Sequence, residues 1–529
     1  MSNMKIKRLF VPVYKNVTVN LMLQADQITL LVGQNGMGKS NLLEALLLIF
    51  DDLYQLKTKG KNAEKLPFHY EMEYECNGRI FVINKITERY IISEFPTRAG
   101  NHEDNHVDIK DLELPNQIIG YYSGENKRIR TLVEKHIKSE ERSKRIRYSK
   151  GNEEGLRPRK LFFAENRHSM LVLTTLLLYK NHHVYGENIR KVLHDIVQVE
   201  NWDSIHLRFR DPKFSRTSNR RKEGLTLAYY RDMFLQGENL EGNDIFWGIR
   251  GSVDKLLRLL LYYSIANGFY YDINTEKKGK REYFDIESIP SDNQFAEQLF
   301  KMFPTPMDFL NTLEECFTLN IVEEFDIILH KKDERERYPY LHLSEGEQQY
   351  LLVMGLIALS HSSQDETLFL LDEPDTHINP QWQRSYIEQI KKLCSSDEDK
   401  RSKAFFISTH SPLLVQAYNP QQVNMLLFKK RQDGMIEISM EDYSIKNWRI
   451  DQVLLSDYFG LPSARSSELD EFMERRLKII RGHGTTNDDK YLKQSEDKFG
   501  YLPTGETIDE IEALRYIHAE AKSLKERNR

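Results

Sequence analysis

The chain has 529 residues, 40% of them hydrophobic, and a formal net charge of −5 although 29% of its residues are charged. This length and apolar content suffice for several packed domains, and the charge balance excludes a global basic field for nucleic acid. The three cysteines are far apart, which excludes a C-x-x-C zinc site and fits a reducing compartment. No apolar stretch reaches the ~20 residues of a membrane span, and residues 1–10 lack the apolar core of a signal peptide. We therefore expect a cytoplasmic protein with no membrane partner.

The first quarter of the chain predicts β-strands with one early helix. Residues 41–55 carry the spacing of an amphipathic helix, and Asn77-Gly78 is a strong signal for a hairpin turn. The expected strands, from alternating or continuous apolar residues, are 5–13, 17–23, 28–32, 69–76, 79–85 and 118–122.

The segment from Gly33 to Ser40, GQNGMGKS, fits the phosphate-binding pattern G-x-x-x-x-G-K-[ST] between a predicted strand and a predicted helix. Its glycines let backbone N–H groups surround a polyphosphate, and the helix N-terminus adds partial positive charge. Lys39 is expected to reach the β- and γ-phosphates, and the Ser40 hydroxyl to complete the shell of Mg²⁺. A glycine-rich turn without a ligand is the alternative. The predicted ATP-binding residues here are Gly33, Asn35, Gly36, Gly38, Lys39, Ser40 and Asn41.

The composition changes after Ser123-Gly124. Residues 127–167 carry fourteen Lys and Arg against six Asp and Glu, and helical patterns continue to about residue 330 without a sustained heptad. A second basic cluster, residues 208–222, includes Phe209 and Phe214. Basic residues with aromatic neighbours can form a groove for a phosphate backbone, whereas a solvated charged face is the commoner meaning of such a run.

Residues 367–373 predict a buried parallel strand that ends in two carboxylates. Asp372 is expected to hold Mg²⁺ through water, as a Walker B aspartate does. Glu373 is placed to polarise the attacking water as general base. An apolar strand that ends in a solvated acidic turn is the alternative, but the phosphate-binding loop needs such a partner.

Ser344 opens a predicted amphipathic helix that runs to about Ser360. Ser344 and Glu347 form the capping box S-x-x-E, so a well-capped helix is one interpretation. The other is an ABC-type signature, in which Ser344, Gly346, Glu347 and the helix N-terminus bind the γ-phosphate of ATP held by a second subunit. Both interpretations can hold, since the same N–H groups serve either purpose.

Residues 405–410 predict another buried strand, which ends in His410 and is followed by Ser411-Pro412. A lone histidine is more often structural than catalytic, but at the end of a strand that follows Walker B it matches a switch histidine. His410 is therefore expected to contact the γ-phosphate. For His377, in the turn after Walker B, structural and functional interpretations are nearly even.

Together these segments resemble the ABC-type ATPase heads of the SMC and RecF-like class, over residues 1–125 and 335–445. The segments GKSNLLEA, IIGYYSGEN, LSEGEQQYLL, LDEPDTHINPQW and STHSP look like those of the PtuA family, the anti-phage defence ATPases of Septu and retron systems. The resemblance implies ATP and Mg²⁺ as cofactors, a homodimer or higher homo-oligomer, and a separate nuclease of HNH type as partner. DNA, or a retron RNA–DNA hybrid with its reverse transcriptase, is a further candidate partner.

Some residues depart from the broader ABC pattern. Glu345 stands where transporters usually carry glycine. No glutamine occupies the expected Q-loop position, since Gln117 precedes its strand, whereas Ser123 and Glu125 follow it. Asp488-Asp489 lie in a polar stretch and read as solvated, so we expect any nuclease activity to come from a partner chain.

The predicted architecture is an α/β fold, an ABC-type P-loop ATPase head with a mixed sheet and helices. Residues 1–125 and 335–445 form the head, residues 126–334 a mostly helical basic insertion, and residues 446–529 a helical extension. The predicted function is a regulatory ATPase that controls an HNH-type nuclease in phage defence, with ATP bound between two heads. A RecF- or SMC-like ATPase of DNA repair or recombination is the alternative. A transporter subunit is disfavoured by the insertion and Glu345, and a structural P-loop protein would show no ATP turnover.

Overall fold

The computed structural model describes most of the chain in seventeen continuous ranges. The described residues are 4–24, 27–60, 66–86, 89–95, 105–123, 160–212, 245–266, 271–272, 283–289, 293–331, 337–360, 366–394, 402–442, 444–445, 447–461, 465–480 and 482–499, with 131, 134, 229, 232–233, 236, 513 and 516–517.

A mixed sheet of thirteen strands organises the head. In spatial order its strands are β7 (Asn105–His106), β6 (Arg89–Phe95), β5 (Arg79–Ile86), β4 (Tyr70–Cys76), β1 (Lys5–Tyr14), β2 (Val17–Met22), β18 (Ile436–Glu441), β17 (Val423–Lys430), β3 (Ile28–Val32), β16 (Lys403–Thr409), β15 (Thr367–Asp372), β8 (Gln117–Tyr122) and β9 (Leu161–Ala164).

Helices cover both faces of this sheet and continue into the insertion and the C-terminal extension. They are α1 (Lys39–Lys59), α2 (Asn166–Tyr179), α3 (Gly186–Val192), α4 (Ser252–Ala266), α5 (Asn293–Met302), α6 (Pro306–Thr318), α7 (Glu345–Leu359), α8 (Pro380–Leu393), α9 (Pro412–Val415), α10 (Ile450–Leu455), α11 (Asp470–Ile480) and α12 (Thr486–Phe499).

The centre of the sheet is parallel and buried on both sides, which explains its continuous apolar strands. Every residue of β3, β15 and β16 is buried. Alternate side chains enter two cores, so that Leu30 and Val32 pack with α2, α7 and α8, whereas Leu31 packs with α1 on the opposite face. The helix α7, predicted as amphipathic, is buried on all sides over residues 349–359.

The predicted hairpin at Asn77-Gly78 and the predicted α/β head are confirmed. β4 and β5 pair in antiparallel register around Asn77-Gly78, and β17 and β18 pair around Asp433-Gly434. β1 pairs with both β2 and β4, which attaches this antiparallel part to the parallel centre. β9 pairs with β8 in the same sheet although it lies beyond residue 125, so the head includes residues that the predicted boundary left out.

The insertion also contains a second sheet, which the prediction of a mostly helical segment did not include. Its order is β11 (Tyr271–Asp272), β12 (Tyr283–Ile286), β10 (Val199–Arg210), β13 (Val322–Lys331) and β14 (Tyr338–Pro339). β10 and β13 form a long antiparallel pair. Their inner residues, among them Ile205 and Leu329, join the core that also holds α2 and α7. The second sheet is therefore packed continuously with one face of the head.

The C-terminal extension is helical in its described part, and its polar stretch is more ordered than predicted. Asp488 lies in the first turn of α12, where it is buried and accepts hydrogen bonds from Thr485 N at 2.9 Å and Arg475 Nη1 at 3.1 Å. It is a helix-capping side chain rather than a solvated one, whereas Asp489 is exposed. Among the described helices, none is both long and apolar enough to cross a bilayer.

Candidate functional site

The phosphate-binding loop lies between β3 and α1, and its glycines adopt conformations that other residues rarely take. Gly36 and Gly38 have φ angles of 77° and 78°. An added Cβ at Gly38 would lie 2.6 Å from Val17 Cγ2. No side chain caps the N-terminus of α1, and the positive end of the helix dipole lies at the loop. The backbone has the geometry of an anion cradle.

Lys39 lies inside this cradle and is 5% exposed. Its Nζ donates to Gly33 O at 2.7 Å and lies 2.7 Å from His410 Nε2. Burial lowers the pKa of Lys39 to about 8, against the opposing effect of the nearby Glu373 and Asp372 carboxylates. The charged form of this lysine thus bears a desolvation cost, which a bound polyphosphate would offset.

Asp372 ends β15 beside the loop and is 1% exposed. Its Oδ1 accepts a hydrogen bond from Ser408 Oγ, whereas its buried Oδ2 has no hydrogen-bond partner among the described residues. Burial raises the pKa of Asp372, while hydrogen bonding from Ser408 and Ser40 opposes that rise. A buried, unpaired carboxylate oxygen near a serine hydroxyl suits Mg²⁺, which takes one or two protein oxygens and completes its shell with water and phosphate. Ser40 and Asp372 are the residues here that could hold such an ion.

Glu373 follows Asp372 in a left-handed conformation, with φ 50°. Its N–H donates to Ser408 O at 3.2 Å, which fixes this turn against β16. Its Oε1 lies 3.3 Å from His410 Nε2, and the hydrogen bond from His410 lowers the pKa of Glu373 in spite of its partial burial. Nε2 can accept from Lys39 or donate to Glu373, but not both at once. His410 is therefore placed between the cation and the carboxylate.

These groups border an open cavity of about 720 Å³. The strand register explains their convergence, because β3, β15 and β16 are parallel and their carboxyl ends meet at one edge. The lining residues are Asn35, Gly36, Met37, Gly38, Lys39, Ser40, Asn41, Glu373, Asp375, Thr376, Gln383, His410, Ser411 and Pro412.

The signature residues lie outside this cavity. Ser344 caps α7 by accepting from Glu347 N at 3.2 Å, and Glu347 Oε2 accepts in return from Ser344 N at 2.7 Å and Ser344 Oγ at 2.8 Å. Gly346 packs against the turn after Walker B, since an added Cβ there would lie 2.3 Å from His377 O. The side chain of His377 is exposed, and its carbonyl makes this packing contact. Within one copy of the chain, the signature touches the Walker B turn and does not reach the phosphate-binding loop.

Ser123, which the sequence placed after the strand where a Q-loop residue is expected, contacts the Walker B turn. Its N donates to Asp372 O at 3.2 Å, and its Oγ lies 3.3 Å from Thr376 Oγ1. Other residues at the site were not predicted. Asp375, Gln383 and Ser411 line the cavity. Asp375 and Ser411 lie in the segments LDEPDTHINPQW and STHSP, so adjacency to Walker B and His410 could have indicated them, whereas Gln383 lies outside both segments. Gln117 begins β8 at the opposite end from the cavity, and Glu125 lies outside the described residues.

The described part of the basic segments is charge-paired. Arg208 lies 2.7 Å from both Asp285 and Glu324 across the second sheet, and Arg210 pairs with Glu323. Phe209 points to the opposite face and is fully buried. These residues form a neutralised surface rather than a groove for phosphates. Residues 213–222, and most of residues 127–159, lie outside the described part of the chain.

Comparison with known proteins agrees with the fold. Residues 190–416 match the family described as "AAA domain, putative AbiEii toxin, Type IV TA system". The chain is 22% identical to the Septu protein PtuA of Bacillus mycoides (strain KBAB4) over 60% of this chain and 41% of that protein. It is 26% identical to the Septu protein PtuA of Bacillus thuringiensis over 33% of this chain and 46% of that protein. The matches thus span less than half the length of both relatives.

Among solved structures, the recombination mediator protein RecF with ATP gives a TM-score of 0.28 and 14% identity, over 83% of this chain and 100% of that chain. A score this low supports no conclusion about function. The sheet, the loop–helix cradle and the domain match together fit the α/β fold of an ABC-type ATPase. Over the matched residues, the chain is similar to the Septu protein PtuA.

Proposed function

We propose that this chain binds ATP with Mg²⁺ between two copies of itself, hydrolyses it, and thereby controls a partner nuclease of HNH type in phage defence. The observation that carries the ATPase part is the convergence of Lys39, Glu373 and His410 on one cavity, with the buried Asp372 directly before Glu373 in the chain. The buried Oδ2 of Asp372 supports it further, because an unpaired carboxylate oxygen is costly unless a ligand supplies its partner.

The chemistry assigned to each residue follows from its position. The loop N–H groups and Lys39 bind the phosphates, and Glu373 accepts the proton of the attacking water. When Lys39 turns to a phosphate, His410 Nε2 loses its contact with Nζ and becomes free to donate a hydrogen bond. Bound Mg²⁺, held by Ser40 and Asp372, would neutralise charge on the phosphate oxygens.

The two-copy arrangement rests on where the signature lies. Ser344, Gly346 and Glu347 carry the pattern of a γ-phosphate site but lie outside the cavity of their own chain. A second copy, related by two-fold symmetry, would bring them to the phosphates. Each site then contains the loop of one chain and the signature of the other, so an isolated chain hydrolyses poorly.

Replacing the proposed general base tests the ATPase. Glu373→Gln should reduce phosphate release at least a hundredfold while ATP binding persists, and it should hold chains together as ATP-bound dimers. Glu388→Gln makes the same change from carboxylate to carboxamide at an exposed position of α8, and it serves as the matched control. Turnover of Glu373→Gln equal to that of the control would remove Glu373 as the base.

Mixing two inactive variants tests whether the site is shared. Lys39→Ala and Ser344→Arg should each be inactive alone, whereas a mixed dimer contains one intact site. An equal mixture should therefore regain about one quarter of normal turnover, since half of random dimers are mixed and each has one of two sites. A mixture as inactive as its components would contradict the shared site.

The defence role and the nuclease partner derive from the similarity to PtuA. Purification of the native complex, with mass spectrometry of its proteins and sequencing of its nucleic acid, should recover an HNH-type protein. Recovery of DNA-repair proteins alone would favour the RecF- or SMC-like alternative.

A further inference from the structure

A closed ring of hydrogen bonds surrounds the backbone of His410. Its members are Asp375 in the turn after Walker B, Gln383 on α8, and Thr409 and Ser411, which flank His410 in the chain. Three separate segments of the head thus meet around one residue of the site.

Each link of the ring has good geometry. Thr409 Oγ1 donates to Asp375 Oδ2 at 2.7 Å and accepts from Ser411 N at 2.9 Å. Ser411 Oγ donates to Gln383 Oε1 at 2.8 Å, and Gln383 Nε2 donates to Asp375 O at 3.0 Å. These distances are those of normal hydrogen bonds; Ser411 donates to both of its neighbours in the ring, and Asp375 accepts from both of its own.

The ring members that hold the backbone next to His410 are buried. Thr409 is fully buried, and Asp375 and Ser411 are 3% and 6% exposed. Buried hydrogen bonds to a carboxylate are stronger than exposed ones, and leaving one partner alone is costly. The backbone on both sides of His410 is therefore fixed to the Walker B turn, which also carries Glu373.

The side chain of His410 has no comparable support within the described residues. Among the described residues, its polar contacts are with Lys39 at 2.7 Å and Glu373 at 3.3 Å, which are themselves proposed to act on the phosphates and on the attacking water. The imidazole therefore depends on its backbone for its position. Displacement of a catalytic group by about 1 Å can cost about a hundredfold in rate.

We infer that Asp375, Thr409, Ser411 and Gln383 are positioning residues that hold His410 at the γ-phosphate position of the ATPase site. The inference rests on the proposed function, since it assigns His410 a role in ATP turnover. The four residues act through His410 and touch neither phosphate nor the attacking water. The ring couples the Walker B turn to the switch histidine, so that both move together.

Two substitutions at Thr409 separate the effect of the ring's hydrogen bonds from that of side-chain shape. Thr409→Val keeps the shape of the side chain but removes its hydroxyl, whereas Thr409→Ser keeps the hydroxyl. Thr409→Val should lower kcat about tenfold with ATP affinity changed less than twofold, and Thr409→Ser should retain at least half of normal kcat. Equal losses in both variants, or a loss of ATP binding in Thr409→Val, would overturn the inference.

A second pair applies if Thr409→Val does not fold. Gln383→Ala removes a half-buried ring member, and Gln381→Ala makes the same change at an exposed position of the same helix. Gln383→Ala alone should lower kcat, also about tenfold. Equal activity of these two variants would exclude Gln383 from the ring's role.

A double-mutant cycle with His410→Ala separates positioning from a general effect on the fold. If the ring acts through His410, then Thr409→Val or Gln383→Ala should cause less than a twofold further loss once His410 is absent. A full tenfold further loss would show that the ring acts elsewhere, and the ATPase proposal would stand. If His410→Ala itself keeps normal turnover, His410 has no role in turnover and the inference is wrong. Glu373→Gln still tests the proposed ATPase activity separately.

Discussion

The polar groups beside the cavity and those of the signature turn differ in whether they have hydrogen-bond partners. In the cavity, Asp372 Oδ2 and Asp375 Oδ1 are buried without hydrogen-bond partners among the described residues, and Glu373 has a left-handed backbone. Such groups and conformations each cost on the order of 1–3 kcal/mol. At the signature turn, by contrast, Ser344 and Glu347 satisfy each other in a complete capping box.

At the cavity a ligand would meet unpaired polar groups, whereas at the signature it would have to replace an existing hydrogen bond. The site carries the unpaired Oδ2 of Asp372 and a desolvated cation, which a nucleotide with its metal would satisfy. At the signature, the Ser344 hydroxyl already donates to Glu347 Oε2 at 2.8 Å. A phosphate from a second copy would have to take that donor from a carboxylate. On the proposed two-copy site, nucleotide binding would therefore precede and promote pairing of the two copies.

The largest expected effect tests the cavity side. Lys39→Ala should weaken ATP binding at least a hundredfold, about 3 kcal/mol, because the buried cation is lost where the phosphates lie. Lys57→Ala removes the same charge from the same helix, where Nζ donates to Leu112 O at 2.6 Å, and should change binding less than twofold. Fluorescent-nucleotide titration measures both. Tight binding by Lys39→Ala would break the assignment of the phosphate-binding loop.

The next effect tests how the signature is held. Gly346→Ala should destabilise the chain by about 2–3 kcal/mol, because the new methyl would meet the backbone carbonyl of His377, which cannot turn away. Gly355→Ala is the control on the same helix, where a Cβ would meet the Val172 side chain at 2.4 Å. A side chain can move, so the cost there should be smaller. Urea unfolding compares the two, and equal costs would contradict this packing account.

The sequence predicted the site better than it predicted the insertion. Lys39, Asp372 and His410 follow apolar strands, and parallel strands bring their carboxyl ends to one edge whatever lies between them in the chain. The order of the strands and the position of the signature outside the cavity required the structure. The ring around His410 was also invisible, because Asp375 and Gln383 meet it only through tertiary contacts.

The second sheet was missed for a physical reason. β10 alternates buried Ile205, Leu207 and Phe209 with polar neighbours, which is the period of a strand. The alternating arginines, Arg208 and Arg210, were instead counted as a basic cluster. Their acidic partners lie on β12 and β13, more than seventy residues away, so the charge balance of this surface could not be read locally.

A pH titration sharpens the cavity side further. Burial lowers the pKa of Lys39 to about 8, so above pH 8 the free chain holds a neutral amine, whereas bound phosphates favour the ammonium form. ATP binding should take up a proton there, and affinity should fall about tenfold between pH 7 and pH 9. Lys39→Arg keeps its charge in this range and should show a flat profile. Calorimetry in buffers of different ionisation enthalpy measures the uptake, and equal profiles would contradict the role of Lys39.

The smallest effect belongs to the signature side. Ser344→Ala removes the N-cap of α7 and should cost about 1 kcal/mol of stability, as loss of a serine cap usually does. Since Ser344 lies outside the cavity, ATP binding measured at chain concentrations too low for pairing should change less than twofold. Turnover at high concentration should fall more than binding does, because the hydroxyl is needed only when two copies meet. A loss of binding in the unpaired chain would mean that cavity and signature already share one ligand within a single copy.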